Sequence, residues 1–482
     1  MNAPYELPAA ALSRAAGVTL AEQLAARYAE RIRQRLLMPG TRLPSVRECA
    51  RRHAVSPTTV VAAYDQLLAQ GLVEARRQRG FFVREPRAGE AARAPTPAAV
   101  SHRPPPVDAT ALIRGMFQGG DKPAPGMGTL PAEWLDLPLL HTALRRAMAA
   151  EAGSMSAPGR GAASLQYGDP AGDRALREVL AHRLADIGVA CTAHQMVTTL
   201  GATHGLDIVS RTLLQPGDAV LVDEPGWAVE YARLTRLGMR LLPVPRGPQG
   251  PDLQVMRALL QAHRPRLYAT VSVLHNPTGC SLPLAAAHQV LKLAEAHDLL
   301  IVEDDTYAHL APAHAPRLAA LDGLQRTIYI SGFSKILAPN WRVGFIAASP
   351  QLTERFIDMK LLSALTTPAL PEQAIAWCIA QGALRRHTER VNAQLDAARA
   401  RAQALALEAG CRFVTPPQGL FGWVDVATDT ERLAQRMLDD GWLLAPGTLF
   451  HPTPRPSTLM RINFATSQDA RFWQALKKAC AN

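Results

Sequence analysis

Cysteine pairs are missing from this chain of 482 residues. Cys49, Cys191, Cys280, Cys378, Cys411 and Cys480 are scattered, with no Cys-x-x-Cys spacing, which excludes a zinc or dithiol site of the usual kind and a disulfide-dense scaffold. No metal site is expected. Long apolar runs are also absent: nothing approaches the roughly 20 residues of a membrane span, and "MNAPYELPAA" lacks the basic and apolar regions of a signal peptide. Neither secretion nor membrane insertion is expected, and the reading is a cytoplasmic protein. Lysine is scarce too, six of the 52 lysines and arginines. Against that background "ISGFSKILAPNWRVGF" places Lys335 in a small-residue turn after an apolar strand, with Arg342 seven residues later. Surface charge does not account for that setting.

What is present is a composition 48% hydrophobic and 19% charged, enough for two or more cores at roughly 100 to 200 residues each. The formal charge of +11 is unevenly spread. Residues 1–86 hold thirteen arginines against seven acids, over half of the excess in under a fifth of the chain. A polyanionic partner for that segment is the natural reading.

The same segment is organised as helices. "LAEQLAARYAERIRQRLL" has helical apolar spacing and stops at Pro39-Gly40. "PSVRECARRHA" offers Ser45 as N-cap with Glu48 three residues on. "SPTTVVAAYDQLLAQG" offers Ser56 as N-cap, Pro57 at the first helical position and Gly71 as terminator. "LVEARRQRGFFV" then alternates into a short hairpin. Three helices and a hairpin over 15–84 predict a winged helix-turn-helix, mainly α. Its DNA-contacting candidates are Arg47, Ser56, Thr58 and Thr59 around the third helix and Arg76 and Arg79 in the wing. Residues 85–124 follow as a linker whose Pro- and Ala-rich part, over 85–110, lacks any period.

Downstream, apolar strand-like runs ("MVTTL", "AVLVDE", "MRLLPVP", "RLYATVSV", "LLIVEDD", "TIYIS", "VGFIAAS") alternate with helical stretches. That pattern predicts an α/β large domain over 125–350. Residues 351–482 read as connecting helices and a small α+β lobe, with "FVTPPQGLFGWVDV" and "TLMRINFA" as its strands.

A lysine does covalent chemistry by adding its amine to a carbonyl, and pyridoxal 5'-phosphate is the usual aldehyde. That cofactor needs an acid at its ring nitrogen, donors to its ring hydroxyl, an aromatic to stack and several groups for its phosphate. "LIVEDDTY" presents Asp304 and Tyr307 at a strand end, "SVLHNPTG" presents Asn276, and "DEPGWAVEYA" presents Trp227. "TLGATHGL" puts Gly201, Ala202 and Thr203 at a helix N-terminus, where amides suit a phosphate.

The order Gly-Ala-Thr, Pro-Gly-Trp, Asn-Pro-Thr-Gly, Asp-x-x-Tyr, Ser-Lys, Arg-Ile-Asn resembles the fold type I aminotransferase superfamily from about residue 125 to 480. The resemblance implies Lys335 as the catalytic Schiff-base lysine, Asp304 at the pyridinium, and Asn276 and Tyr307 at the ring hydroxyl. It implies Trp227 on the ring and Gly201, Ala202, Thr203, Ser334 and Arg342 at the phosphate. "LQYGDPAGDRALREVLAHRL" resembles the segment whose tyrosine, here Tyr167, reaches the phosphate of a neighbouring subunit, which implies a homodimer. Arg461 of "MRINFA" would pair with a substrate carboxylate. One departure stands out: Gly332 occupies a position where the superfamily often has a hydroxyl residue. Residues 19–84 resemble the GntR winged-helix family, and the combination resembles the MocR-type regulators. That implies promoter DNA as one partner, a small amine, amino acid or vitamer as effector, and dimers whose DNA-binding arm crosses to the partner. Two rival readings keep the same residues: a working aminotransferase with an auxiliary DNA-binding arm, and a pure vitamer sensor that has no need of Arg461.

Overall fold

A computed structural model describes residues 19–33, 37–76, 79–84, 124–154 and 165–481. The linker expected over 85–124 lies outside them, apart from its last residue. The amino-terminal arm contains helices α1 (Leu20–Arg33), α2 (Val46–His53) and α3 (Pro57–Ala69), then strands β1 (Val73–Arg76) and β2 (Gly80–Val83) paired antiparallel. Local capping sets the helix starts. Ser45 Oγ accepts from the Glu48 amide at 3.2 Å, and Ser56 Oγ accepts from the Thr59 amide at 3.1 Å. Thr19 and Glu22 form a further capping box at α1 that the sequence reading passed over. Leu24, Tyr28, Val60, Tyr64 and Leu67 form the arm's own core, with Tyr28 edge-on to Tyr64.

The large domain holds eight strands: β3 (Met196–Leu200), β4 (Ala219–Glu224), β5 (Arg240–Gly247), β6 (Gly250–Pro251), β7 (Leu267–Thr270), β8 (Leu300–Asp304), β9 (Thr327–Gly332) and β10 (Val343–Ala347). They lie in the order β3-β10-β9-β8-β7-β4-β5-β6. Neighbours from β9 through β5 run parallel, whereas β10 is antiparallel to both β9 and β3. Continuous apolar runs such as "TIYISG" and "VGFIA" are buried along their whole length because helices cover both faces of the sheet.

This strand order brings the functional turns together. β3, β4, β7, β8 and β9 all end at one edge, and β10 begins there because it runs the other way. Leu200 therefore pairs with Val343, and Gly201 meets Arg342. The run expected as "RLYATVSV" stops as a strand at Thr270. The chain then turns, with the Gly279 amide donating to His275 O at 2.6 Å.

From residue 350 the helical stretch is three helices, Pro350–Ala364, Ala369–Ala380 and Ala383–Glu408, separated near Pro368 and Gly382. The small lobe carries β11 (Arg412–Phe413), β12 (Phe421–Asp425), β13 (Ala445–Pro446) and β14 (Leu459–Asn463) in the antiparallel order β11-β12-β14-β13. β6 and β13 are two-residue strands without a sequence period, and neither was expected. Residues 124–129, the end of the expected linker (124) and the start of the expected large domain (125 onward), hydrogen-bond to the small lobe. Asn463 donates its amide to Pro125 O and its side-chain nitrogen to Met127 O and Thr129 O. The arm also touches this lobe: Arg31 and Arg52 donate to Leu438 O and Arg436 O at 3.0 and 3.2 Å, near the end of helix Thr430–Asp439. Among the described residues no helix is long and apolar enough to cross a membrane, and no His/Cys/Asp/Glu group could hold a metal.

Candidate functional site

At one end of the site a backbone turn sits under a guanidinium. Gly201 has φ +76°, the left-handed side of backbone space that favours glycine, and the Arg342 guanidinium lies directly against it. Arg342 itself is left-handed, at φ 53° and ψ 45°. It donates to Leu200 O at 3.0 Å and to Ser334 Oγ at 3.1 Å. Ala202 and Thr203 open helix Ala202–Leu213, so their amides have no intrahelical acceptor. Two amides, a hydroxyl and a guanidinium at a helix N-terminus form a cradle suited to a phosphate.

Sequence reasoning missed the residue that permits this cradle. A Cβ on Gly344 would meet Gly201 C at 2.6 Å and Ala202 N at 2.8 Å, so the turn can lie on β10 only because residue 344 is glycine. Gly332, the departure noted above, is similarly confined: a Cβ there would be 3.0 Å from Val343 O.

At the opposite end lie the ring groups. Asp304 and Trp227 line one small cavity of about 40 Å3 together with Glu230. Thr306 holds Asp304 from both its amide and its hydroxyl. Burial pushes the Asp304 carboxyl up to about 6, opposed by the Thr306 hydroxyl and assisted by Glu230. Tyr307 shares a hydrogen bond with Asn276, and burial raises its phenol.

Lys335 stands between the two ends. Burial lowers its amine to about 8, helped by the positive charges of Arg461 and Arg342 and opposed by Asp304. A lysine in that state has an accessible neutral form near physiological pH, which is what addition to an aldehyde requires.

Arg461, on β14, faces the same space from the small lobe. Its guanidinium donates to Asn276 Oδ1 at 2.8 Å and to Gly126 O at 2.6 Å, leaving Nε without a partner. Phe421 and Phe450 flank it, with ring centroids 4.5 and 5.1 Å from Cζ. Burial lowers its pKa to about 10, so it remains a cation. The two phenylalanines and Gly126 had no sequence signal, since they meet Arg461 only across the tertiary fold. Tyr167 lies apart from this group, with 82% of its surface exposed.

In the arm, Arg47, Ser56, Thr58, Arg76 and Arg79 are exposed and Thr59 is half-buried. Ser56 Oγ is occupied by the Thr59 amide and lies 2.8 Å from the Thr59 hydroxyl, so both side chains order the first turn of α3. Arg76 pairs with Glu74 at 2.8 Å and lies over the Phe82 ring.

Comparison with known proteins covers both halves. Residues 20–83 match the bacterial regulatory proteins of the gntR family, and residues 138–478 match aminotransferase class I and II. A 2-aminoadipate transaminase of Thermus thermophilus is 31% identical over 329 residues, 66% of this chain and 81% of that protein. The uncharacterized HTH-type transcriptional regulator YdcR of Escherichia coli is 29% identical over 467 residues, 95% of this chain and 97% of its own length. Among solved structures, the α-aminoadipate aminotransferase LysN of Thermus thermophilus, complexed with N-(5'-phosphopyridoxyl)-L-leucine, matches with a TM-score of 0.69 at 25% identity. That match covers 77% of this chain and 94% of LysN. The phosphate cradle, the carboxylate and the low-pKa lysine fit pyridoxal 5'-phosphate, the cofactor of this fold. The chain thus belongs to the aminotransferase class I and II family and, through its fused gntR-family helix-turn-helix, to the MocR-type regulators.

Proposed function

We propose that this protein is a pyridoxal-phosphate-dependent transcriptional regulator that binds promoter DNA through the winged helix and senses an amino acid, amine or vitamer at Lys335. The observation that carries the reading is a single chain joining a low-pKa lysine, flanked by Asp304 and Arg461, to an exposed basic arm. Bound in the site, the cofactor supplies an aldehyde for amines and an electron sink. The chain's residues do the rest. Lys335 would hold the cofactor through its amine, Asp304 would keep the ring nitrogen protonated, Asn276 and Tyr307 would serve the ring hydroxyl, and Trp227 would serve the ring face. Gly201, Ala202, Thr203, Ser334 and Arg342 hold the phosphate. Arg461 binds the effector carboxylate.

Arg47, Thr58, Thr59, Arg76 and Arg79 contact DNA, with Ser56 setting the first turn of α3. The assembly is a homodimer acting in the cytoplasm, in which Tyr167 serves the partner's phosphate. In support, Leu165, Tyr167 and Leu362 are 78, 82 and 84% exposed, unusual for side chains of their size.

The test is promoter-DNA affinity measured with and without a panel of amino acids, amines and vitamers. In the wild type, an effector changes affinity by about 5- to 150-fold; in Lys335→Ala the change is lost. An undiminished response in that variant refutes sensing through Lys335 and favours a vitamer sensor. The working-aminotransferase reading draws on the free Nε of Arg461 beside an intact Lys335, and turnover with a keto acid decides it.

A further inference from the structure

Helix α3 divides its side chains sharply between two sides. Val60, Ala63, Tyr64 and Leu67 enter the core of the arm, whereas Thr58, Val61, Ala62 and Asp65 are exposed. Residues three and four apart share one side of a helix, so these four form a single outer stripe. The N-terminal part of such a stripe is what a helix-turn-helix presents to base edges. Val61 is 41% exposed, lies outside the arm's core, and is the only exposed large apolar side chain among the described residues of the arm. A β-branched side chain there also favours the helix less than most residues do. Neither packing nor helix formation accounts for it.

The stripe is short of hydrogen-bonding groups. It holds no arginine, lysine, asparagine or glutamine, the side chains that pair bidentately with guanine and adenine. Thr58 offers one hydroxyl, Val61 and Ala62 offer methyl groups, and the one carboxylate, Asp65, follows a full turn after Val61. Around the stripe the charge suits DNA: across residues 19–33, 37–76 and 79–84, ten arginines stand against five acids. Arg47 and Arg51 of α2 and Arg79 of the wing are exposed, as is Arg76, which shares its charge with Glu74. Contacts from such arginines to phosphates set register and carry no sequence information. Discrimination by the first two turns of α3 therefore falls to one hydroxyl and to the methyl groups of Val61 and Ala62. The apolar feature that the major groove displays is the C5-methyl of thymine.

We propose that Val61 is a specificity-determining residue of the arm, reading a thymine by contact between its side-chain methyl groups and the thymine C5-methyl in the major groove. The inference rests on the reading of the arm as DNA-binding and adds the base it selects.

The experiment selects duplexes from a random-sequence DNA library with cofactor-loaded, full-length wild type. The enriched duplex is then made with each thymine in turn replaced by deoxyuridine, which removes the C5-methyl and keeps the hydrogen-bonding edge. At one thymine the replacement is expected to weaken wild-type binding about three- to fivefold, the value of burying one methyl group. Val61→Ala binds the unmodified duplex correspondingly less tightly and no longer distinguishes thymine from deoxyuridine at that position. An unchanged melting midpoint checks that the variant is folded, and Val61→Thr, which keeps the branched shape and one of the two methyl groups, retains part of the discrimination. Wild-type indifference to every replacement overturns the proposal, as does discrimination that Val61→Ala leaves intact. Equal loss on the thymine and deoxyuridine duplexes in Val61→Ala overturns it too, by making Val61 a structural residue. If no duplex is enriched and random DNA is not bound, the DNA-binding reading itself fails, and this inference with it.

Discussion

A lysine amine adds to an aldehyde only when neutral, so the environment of Lys335 sets the pH range in which the protein takes up its cofactor. Its folded pKa, about 8, lies below the ordinary lysine value of 10.5, with burial as the main cause. The protonated form is the one the fold disfavours, and it is lost as pH rises through 8. Cofactor uptake by the apoprotein, followed by absorbance, is therefore expected to accelerate about tenfold per pH unit up to about pH 8 and then level off. Acceleration that continues to pH 10 would mean a solvated amine. The role proposed for Arg461 concerns a different part of the ligand. Arg461→Ala removes a charge-assisted pair of about 1.5–3 kcal/mol, so carboxylate-bearing effectors weaken accordingly and amines without a carboxylate do not. Equal weakening of both classes, measured by titration, contradicts that role.

β10 shows how one strand's direction and one residue's size build a site. It runs against its neighbours, which delivers Arg342 to the edge where β3 ends. Gly344 then lets the Gly201–Ala202 turn lie on it. The atoms that an added methyl would meet, at 2.6 and 2.8 Å, are backbone and have no rotamer to yield. Gly344→Ala is expected to cost about 1–3 kcal/mol of stability and to weaken cofactor retention, read from the melting midpoint and from dialysis. Wild-type retention in that variant would show that the turn is not held in place by β10. In the arm, Ser56→Ala removes the N-cap of α3 and costs about 1 kcal/mol. Because it unsettles the helix start without removing a base contact, promoter and random DNA should lose affinity alike, with cofactor absorption unchanged. Loss confined to promoter DNA would make Ser56 a base-reading residue.

Across the whole molecule, the arm and the small lobe meet through a helix end. Carbonyls in the last turn of a helix lack intrahelical donors and carry the negative end of its dipole, so the arginines that reach Arg436 O and Leu438 O are electrostatically well matched. The lobe they hold also supplies Arg461. A ligand that draws Arg461 toward the large domain therefore pulls on the arm. The double variant Arg31→Ala, Arg52→Ala is expected to keep cofactor absorption and DNA binding while losing most of the effector-dependent change in promoter affinity. A full response in the double variant would show that coupling takes another route.

The amino-acid sequence by itself determined what depends on near neighbours: the Ser45 and Ser56 caps, the Pro57 helix start, the apolar strand runs and the strand-end position of Asp304. Capping and burial patterns act over one turn or one pleat, so they are legible in a single chain. The tertiary structure alone decided which turns meet. The contact of Gly344 with Gly201 follows from β3 pairing with β10, and Phe421 and Phe450 surround Arg461 through the small lobe's own fold. The Arg31 and Arg52 contacts span 407 and 384 residues of sequence. Such contacts leave no periodic trace, because they arise from the packing of separate elements, and one-dimensional spacing does not record which elements become neighbours.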